Sequence, residues 1–284
     1  MEGRLIKYTL FLTAFEYGTN QAPNVIVWVG GLGDGLGSLP YLAPLSQSLP
    51  ESWSVIQPLI KSLYQGWAQL SLEQDLKDLK RLVHYLKHEE NRSKVVLAGH
   101  STGSQDVLAY LINADADEPI DGGILQGGVL DVEAMALFAE LTHTDLQNLV
   151  KEVESTYPNL LTKEVLPPKF TKIAFSTPIS SARFVSIAKE RGTEDFFSTY
   201  LTAEDHAKTF GKVKKPLLVL YGEQDEYVDE KIDKNQVLGQ FQQATDPQYW
   251  SPLSHVVPGA SHKVELELAQ KDLIDTVIKF VKKL

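Results

Sequence analysis

The sequence predicts an α/β fold: a mostly parallel central sheet, helices on both faces, and a helical insertion near the middle of the chain. Three observations carry this. Short apolar runs recur and lead into glycine-rich or polar loops, as in Val25–Val29 before Gly30 and in Val95–Ala98 before Gly99. Between these runs lie stretches with apolar residues at helical spacing, the alternation expected of βαβ units. The rhythm breaks from about 130 to 210 and then resumes. Residues 1–130 and 211–284 are therefore expected to form one core and residues 131–210 a helical cap over the carboxyl edge of the sheet. At 284 residues and 43% hydrophobic, the chain is long enough for one large core.

Leu5–Thr13 is β-rich and partly alternating, and Tyr17-Gly18-Thr19-Asn20 reads as a turn. Val25–Val29 reads as the first buried strand and runs into Gly30-Gly31-Leu32-Gly33-Asp34-Gly35-Leu36-Gly37. A dinucleotide loop needs G-x-G-x-x-G. Starting from Gly31, Gly33 or Gly35, the third glycine position is Leu36, Ser38 or Pro40, so the register fails. An oxyanion loop, whose backbone N–H groups face a developing negative oxygen, fits better. Leu39–Leu49 reads as a short helix or turn, and Ser54–Ile60 as a strand. The loop after that strand places Tyr64 and Trp67 where ligands bind in parallel sheets, although two aromatics packed under a loop explain the pattern equally well. Ser71-Leu72-Glu73-Gln74 has the form of a capping box, and helical spacing continues to about residue 90. His84 and His88 lie one turn apart on that helix, with no third metal ligand in view and no HExxH glutamate, so they read as a solvent face.

Val95–Ala98 reads as a buried strand followed at once by Gly99-His100-Ser101-Thr102-Gly103, which fits G-x-S-x-G, and Gln105–Ile112 as the start of the helix after it. Strand, sharp turn bearing Ser, and helix is the context this motif requires. Side chains at Gly99 or Gly103 would collide with neighbouring backbone at such a turn. Ile120–Gln126 reads as a further strand. Helical patches follow at Glu133–Leu141, Asp145–Val153 and Phe184–Lys189, and Thr177-Pro178-Ile179-Ser180 is a loop expected near the site. Lys215–Tyr221 resumes the strands, and the next loop, Gly222–Asp229, holds four acids. Asp225 lies where an acid can turn inward just past the strand end. Glu226 is the next choice, and Asp229 reads as the N-cap of a helix over Lys231–Gln243. Ser254–Val257 reads as the last strand, with His255 structural, and His262 lies on the loop beyond it. Val264–Val281 closes the chain as a helix.

The order Ser101, Asp225, His262, each after a strand, is that of the α/β-hydrolases. The residue types follow from the chemistry. Ser is a weak nucleophile until a neutral His removes its proton, and Asp fixes the His tautomer and stabilises the imidazolium. The N–H groups of Thr102 and Leu32 are expected to form the oxyanion hole, with Gly31, Asp34, Tyr64, Trp67, His100, Pro178 and Ile179 as pocket candidates. Lys plus Arg is 27 against 37 Asp plus Glu, a net charge of -10, which argues against nucleic acid and anionic membrane as partners. The absence of cysteine excludes disulfides and thiolate metal sites. No metal or cofactor is expected. The N-terminus does not read as a signal peptide and no apolar stretch reaches membrane-spanning length, so an intracellular soluble protein is expected.

The resemblance can be narrowed. Val27–Leu45, VWVGGLGDGLGSLPYLAPL, together with YQGW, GHSTGSQDV, TPISSARFVSIA, YGEQDEYV and GASHKVE, is similar to the fungal siderophore-esterase family of α/β-hydrolases, long known only as proteins of unknown function. The resemblance spans nearly the whole chain, including the cap. It implies hydrolysis of ester bonds in hydroxamate siderophores of the fusarinine type, with a ferric siderophore as a substrate, in the cytoplasm, to release iron. Two alternatives remain open at this stage: a carboxylesterase or thioesterase for another small acyl substrate, and a catalytically silent hydrolase fold used for binding.

Overall fold

The computed structural model describes residues 2–18, 21–113, 117–159 and 164–284. Thr19 and Asn20, the end of the expected first turn, lie outside the described residues. An eight-stranded sheet runs through the molecule in the order β1-β2-β4-β3-β5-β6-β7-β8. The strands are β1 Gly3–Lys7, β2 Thr13–Tyr17, β3 Asn24–Val29, β4 Trp53–Pro58, β5 Lys94–His100, β6 Gly122–Gln126, β7 Leu217–Gly222 and β8 His255–Val257. The pairs β1/β2 and β2/β4 are antiparallel, and every pair from β4/β3 to β7/β8 is parallel. This is the expected α/β-hydrolase sheet.

Alternation along the strands builds the two layers. Val25, Val27, Val29, Val95 and Leu97 point to one face, where they meet α2 (Leu72–His88), α3 (Gly103–Asn113) and α9 (Lys234–Ala244). Ile26, Trp28, Val96 and Ala98 point to the other, against α1 (Leu42–Ser48) and α10 (Glu267–Val281). Strands buried on both faces read as continuous apolar runs, which is why they were legible in the sequence. A third apolar cluster lies among α4 (Asp131–Phe138), α5 (His143–Thr156), α6 (Pro168–Ile173) and α7 (Ser181–Ala188), and it takes in Trp67 and Ala68 from the β4–α2 connection. The short α8 (Ala203–Ala207) follows before β7. Among the described residues, no helix is long and apolar enough to cross a membrane.

Several local expectations are corrected. Leu5–Thr13 is not one strand: β1 ends at Lys7, and Thr9 Oγ1 accepts from the N–H groups of Phe11 (3.2 Å) and Leu12 (2.9 Å). That local hydrogen bonding offers the backbone an alternative to the ladder and turns the chain. At α2 only half of the capping box forms. Ser71 accepts from Gln74 N, but the Gln74 side chain reaches forward to Asp78 Oδ1 at 3.0 Å. The N-cap before α9 is Asp233, not Asp229, because Asp229 is engaged by Lys231 N in the preceding turn. The closing helix starts at Glu267, and Val264 lies in a turn with φ 53°.

Candidate active site

Ser101 sits at the end of β5 with φ 56°, the left-handed backbone of a strained turn. Glycine is required on both sides of it. A Cβ on Gly99 would lie 2.1 Å from Gly103 O, and one on Gly103 would lie 2.6 Å from Val29 O. The turn is pinned by the Ser101 N–H donating to Gln126 O on β6 (2.9 Å). Ser101 therefore projects beyond the carboxyl edge of the sheet, where loops from several strands converge.

His262, on the loop after β8, presents Nδ1 to Asp225 Oδ2 at 2.8 Å, and both side chains are buried. Its backbone N–H donates to Glu226 Oε2 at 2.9 Å. The two neighbouring acids of the β7 loop are thus divided: Asp225 holds the ring and Glu226 holds the backbone. Asp225 is held in turn by Tyr227, whose N–H donates to its Oδ1 at 2.9 Å. Ser101 and His262 line one cavity of about 240 Å³ with Leu32, Asp34, Trp67, His100, Thr102, Tyr227 and Lys263 among its walls. Among the described residues no hydrogen bond joins the Ser101 hydroxyl to His262, and such bonds are often long before substrate binds.

The glycine loop lies against Ser101. A Cβ on Gly31 would stand 2.5 Å from Ser101 Cβ and 3.0 Å from its Oγ. Asp34 shapes the loop from both ends: its N–H donates to Gly31 O (3.1 Å) and its Oδ2 accepts from Gly31 N (2.8 Å). Its other oxygen meets Lys263 Nζ at 2.9 Å. Within this turn the Leu32 N–H has no intramolecular acceptor among the described residues, nor has that of Thr102 on the Ser turn. Both residues face the cavity, which is the disposition of a pair of oxyanion donors.

The surrounding charges are fixed by burial and pairing. Burial, reinforced by neighbouring His262, pushes His100 down to about 3, so it is neutral. His100 Nδ1 lies 2.5 Å from Gln126 Oε1, and Gln126 Nε2 donates to His262 O at 3.1 Å. His100 therefore props the His262 loop. Burial works against charge on Asp34, yet its carboxyl is held below the usual range. With His100 neutral, the Lys263 ammonium and the Gly31 N–H are the partners that keep it ionised. Burial pushes the Asp131 carboxyl, at the start of α4 on the cavity wall, well above the ordinary range. Asp131 accepts a hydrogen bond from Gln105 Nε2 at 2.7 Å.

Of the pocket candidates, Asp34, Trp67 and His100 line the cavity, and Gly31 backs onto Ser101. Tyr64 is 53% exposed, with its hydroxyl accepting from Leu36 N, and lies outside the lining. Pro178 and Ile179 do not line it either. Pro178 O accepts from Gln69 Nε2, and Ile179 is fully buried in the third apolar cluster, while Thr177 and Phe175 reach the cavity. Tyr227, Lys263, Asp131 and Met135 were not singled out from the sequence. Tyr227 and Lys263 are each next to or near a triad candidate in sequence, a signal available in principle. Asp131 and Met135 carry none.

The match to known proteins follows this geometry. A family model described as "Protein of unknown function (DUF1749)" matches residues 1–282. The chain belongs to this family. A UPF0613 protein of Schizosaccharomyces pombe is 37% identical over 286 residues, covering 92% of this chain and 90% of that protein. The fusarinine C esterase sidJ of Aspergillus fumigatus is 30% identical over 316 residues, covering 92% and 89%. Among solved structures, the siderophore hydrolase EstB from Aspergillus fumigatus superposes with a TM-score of 0.82 at 29% identity, covering 99% of this chain and 97% of that one. Fold and relatives together make this DUF1749 member an ester hydrolase.

Proposed function

We propose that this ester hydrolase cleaves ester bonds in a hydroxamate siderophore of the fusarinine type, with Ser101 as nucleophile, His262 as general base and Asp225 as the group that orients it. The observation that carries the catalytic part is the convergence at one cavity of the strained Ser101, the His262–Asp225 pair at 2.8 Å and two unengaged N–H groups. His262 takes the Ser101 proton as Oγ attacks the ester carbonyl. The oxyanion is met by Leu32 N–H and Thr102 N–H. Collapse expels the alcohol, which receives the proton from His262, and leaves an acyl-Ser101. Water, activated by the same His262, then releases the acid and restores the serine.

The substrate class rests on the relatedness to sidJ and EstB across nearly the whole chain. Cavity size is compatible with it. About 240 Å³ admits one ester-bearing arm, while the bulk of a large substrate stays at the mouth beside Lys263 and Tyr227. Residues 131–210 act as a cap, contributing Phe175, Thr177 and Ile187 to the cavity wall. The iron belongs to the substrate, and the protein works in the cytoplasm.

The test is turnover of purified protein on ferric and iron-free fusarinine-type esters beside short-chain nitrophenyl esters, followed by mass spectrometry. The expected result is a kcat/KM on at least one siderophore form well above that on the nitrophenyl esters, with turnover in Ser101→Ala lower by about four to six orders of magnitude. Good turnover of an unrelated ester alone would refute the substrate and favour a general carboxylesterase or thioesterase. Binding without turnover of any ester would favour the silent binding protein.

A further inference from the structure

The histidine pair that the sequence left without a third ligand acquires one in the fold. His84 and His88 stand one turn apart on the exposed face of α2, with ring centroids 4.5 Å apart. Glu118, thirty or more residues away on the loop between α3 and β6, lies over them. His84 Nδ1 is 2.7 Å from Glu118 Oε1, and His88 Nε2 is 3.7 Å from Glu118 Oε2. One ligand atom from each residue falls within 4.8 Å of the others. We propose that His84, His88 and Glu118 form a binding site for a divalent transition-metal ion, with Zn²⁺ the preferred occupant.

The donor set points to that chemistry. Two imidazoles and a carboxylate suit zinc, and three protein ligands leave a fourth position for water. For ligand atoms about 2.0–2.2 Å from a tetrahedral ion, mutual separations of about 3.3–3.5 Å are required. The observed contacts, 2.7 Å to one carboxylate oxygen and 3.7 Å to the other, with one ligand atom of each residue within 4.8 Å of the others, put the three groups within reach of a single ion by side-chain rotation. The backbone that carries Glu118 is held by side chains. Tyr110 Oη donates to Glu118 O at 2.8 Å, and Lys87 Nζ donates to Pro119 O beside it. The nearby cations are engaged elsewhere: Lys80 pairs with Asp117 and Arg81 with Asp78.

The position excludes a catalytic role for the ion. His84 and His88 close the C-terminal end of α2, which leads into β5, and Glu118 precedes β6. The site therefore lies at the amino edge of the parallel strands, opposite the edge that carries Ser101. An ion there would tie α2 to the β6 approach.

Calorimetric titration of the whole, metal-free chain with ZnCl₂ tests this, with thermal unfolding as a second readout. One equivalent should bind and raise Tm. Glu118→Gln and His88→Gln should each weaken binding by more than the roughly 10–100-fold that loss of an outer-shell partner costs. Cobalt substitution should give the visible absorption of a four-coordinate ion. His143→Gln, an exposed histidine beside Glu190, is the control and should change nothing. All these side chains are surface groups, and circular dichroism of the metal-free variants verifies folding. Zinc binding equally strong in both site variants, a loss shared by the control, or no Tm response in the wild type would each overturn the proposal.

Discussion

Gly31→Ala is the sharpest probe of the oxyanion loop. Gly31 does not have a positive φ, so alanine meets no backbone strain and the effect is purely one of contact. The added Cβ would stand 2.5 Å from Ser101 Cβ, 3.0 Å from Ser101 Oγ and 3.2 Å from His100 O. Neither partner can yield easily, because Ser101 is pinned through its N–H to Gln126 O and His100 is fully packed. The loop must retreat and carry Leu32 N–H away from the oxyanion position. Loss of one such donor costs about 10²–10³ in kcat, and displacement of the nucleophile by an ångström can add about 10². We expect kcat to fall about 10²–10⁵-fold with KM changed little, since the donor acts mainly in the transition state. Overpacking of this kind destabilises by about 1–3 kcal/mol, which thermal unfolding would register without loss of the fold. The assay is steady-state hydrolysis of a soluble ester combined with fluorophosphonate titration of reactive serine. A folded variant with kcat within a few-fold of wild type would show that the loop does not serve the oxyanion.

Other outcomes follow from the same geometry. Asp225→Asn should lower kcat by about 10⁴ through the wrong His262 tautomer, whereas Glu226→Gln, which touches only the His262 backbone, should keep most activity; the reverse pattern in steady-state kinetics would reassign the acid. Asp131 on the cavity wall, whose carboxyl burial pushes well above its ordinary range, should accept Asn with kcat/KM nearly unchanged, which the same kinetics would check. Asp75 on α2 is raised to about 7, chiefly by burial, next to the buried Arg183–Glu194 pair. Its proton leaves the unfolded chain near the ordinary carboxylate range and the folded chain only near 7, so its ionisation reduces stability as pH rises through that window. Asp75→Asn removes the effect, and its Tm relative to wild type should rise from pH 5 to pH 8. A constant difference across that range would contradict the assignment.

The physical reach of each signal explains how much was legible. Strands β3, β5, β6 and β7 announced themselves because both faces are buried and the apolar runs are continuous. The Ser101 turn was legible because its steric demand falls on glycines two residues away. The loop position alone singles out Asp225 over Glu226, and it is Asp225 whose Oδ2 lies 2.8 Å from His262 Nδ1. The β1–β2 turn was missed because Thr9 redirects the chain with a side-chain hydrogen bond that leaves no gap in the β-rich pattern. Asp229 was taken for a cap because an acid before a helix looks the same whether or not its oxygen is already engaged.

By itself, then, the sequence determined which segments are strands, where the Ser101 turn lies and the order of the three triad candidates, because each of these is written in neighbouring residues. Only the tertiary structure decided what lies across a gap. It brought Lys263 to Asp34, 229 positions apart, and Gln126 to the His262 loop. It chose Phe175 and Thr177 over Pro178 and Ile179 for the cavity wall, and it set Glu118 over His84 and His88. Such contacts depend on how layers pack, and packing distance has no counterpart in the spacing of residues along a chain.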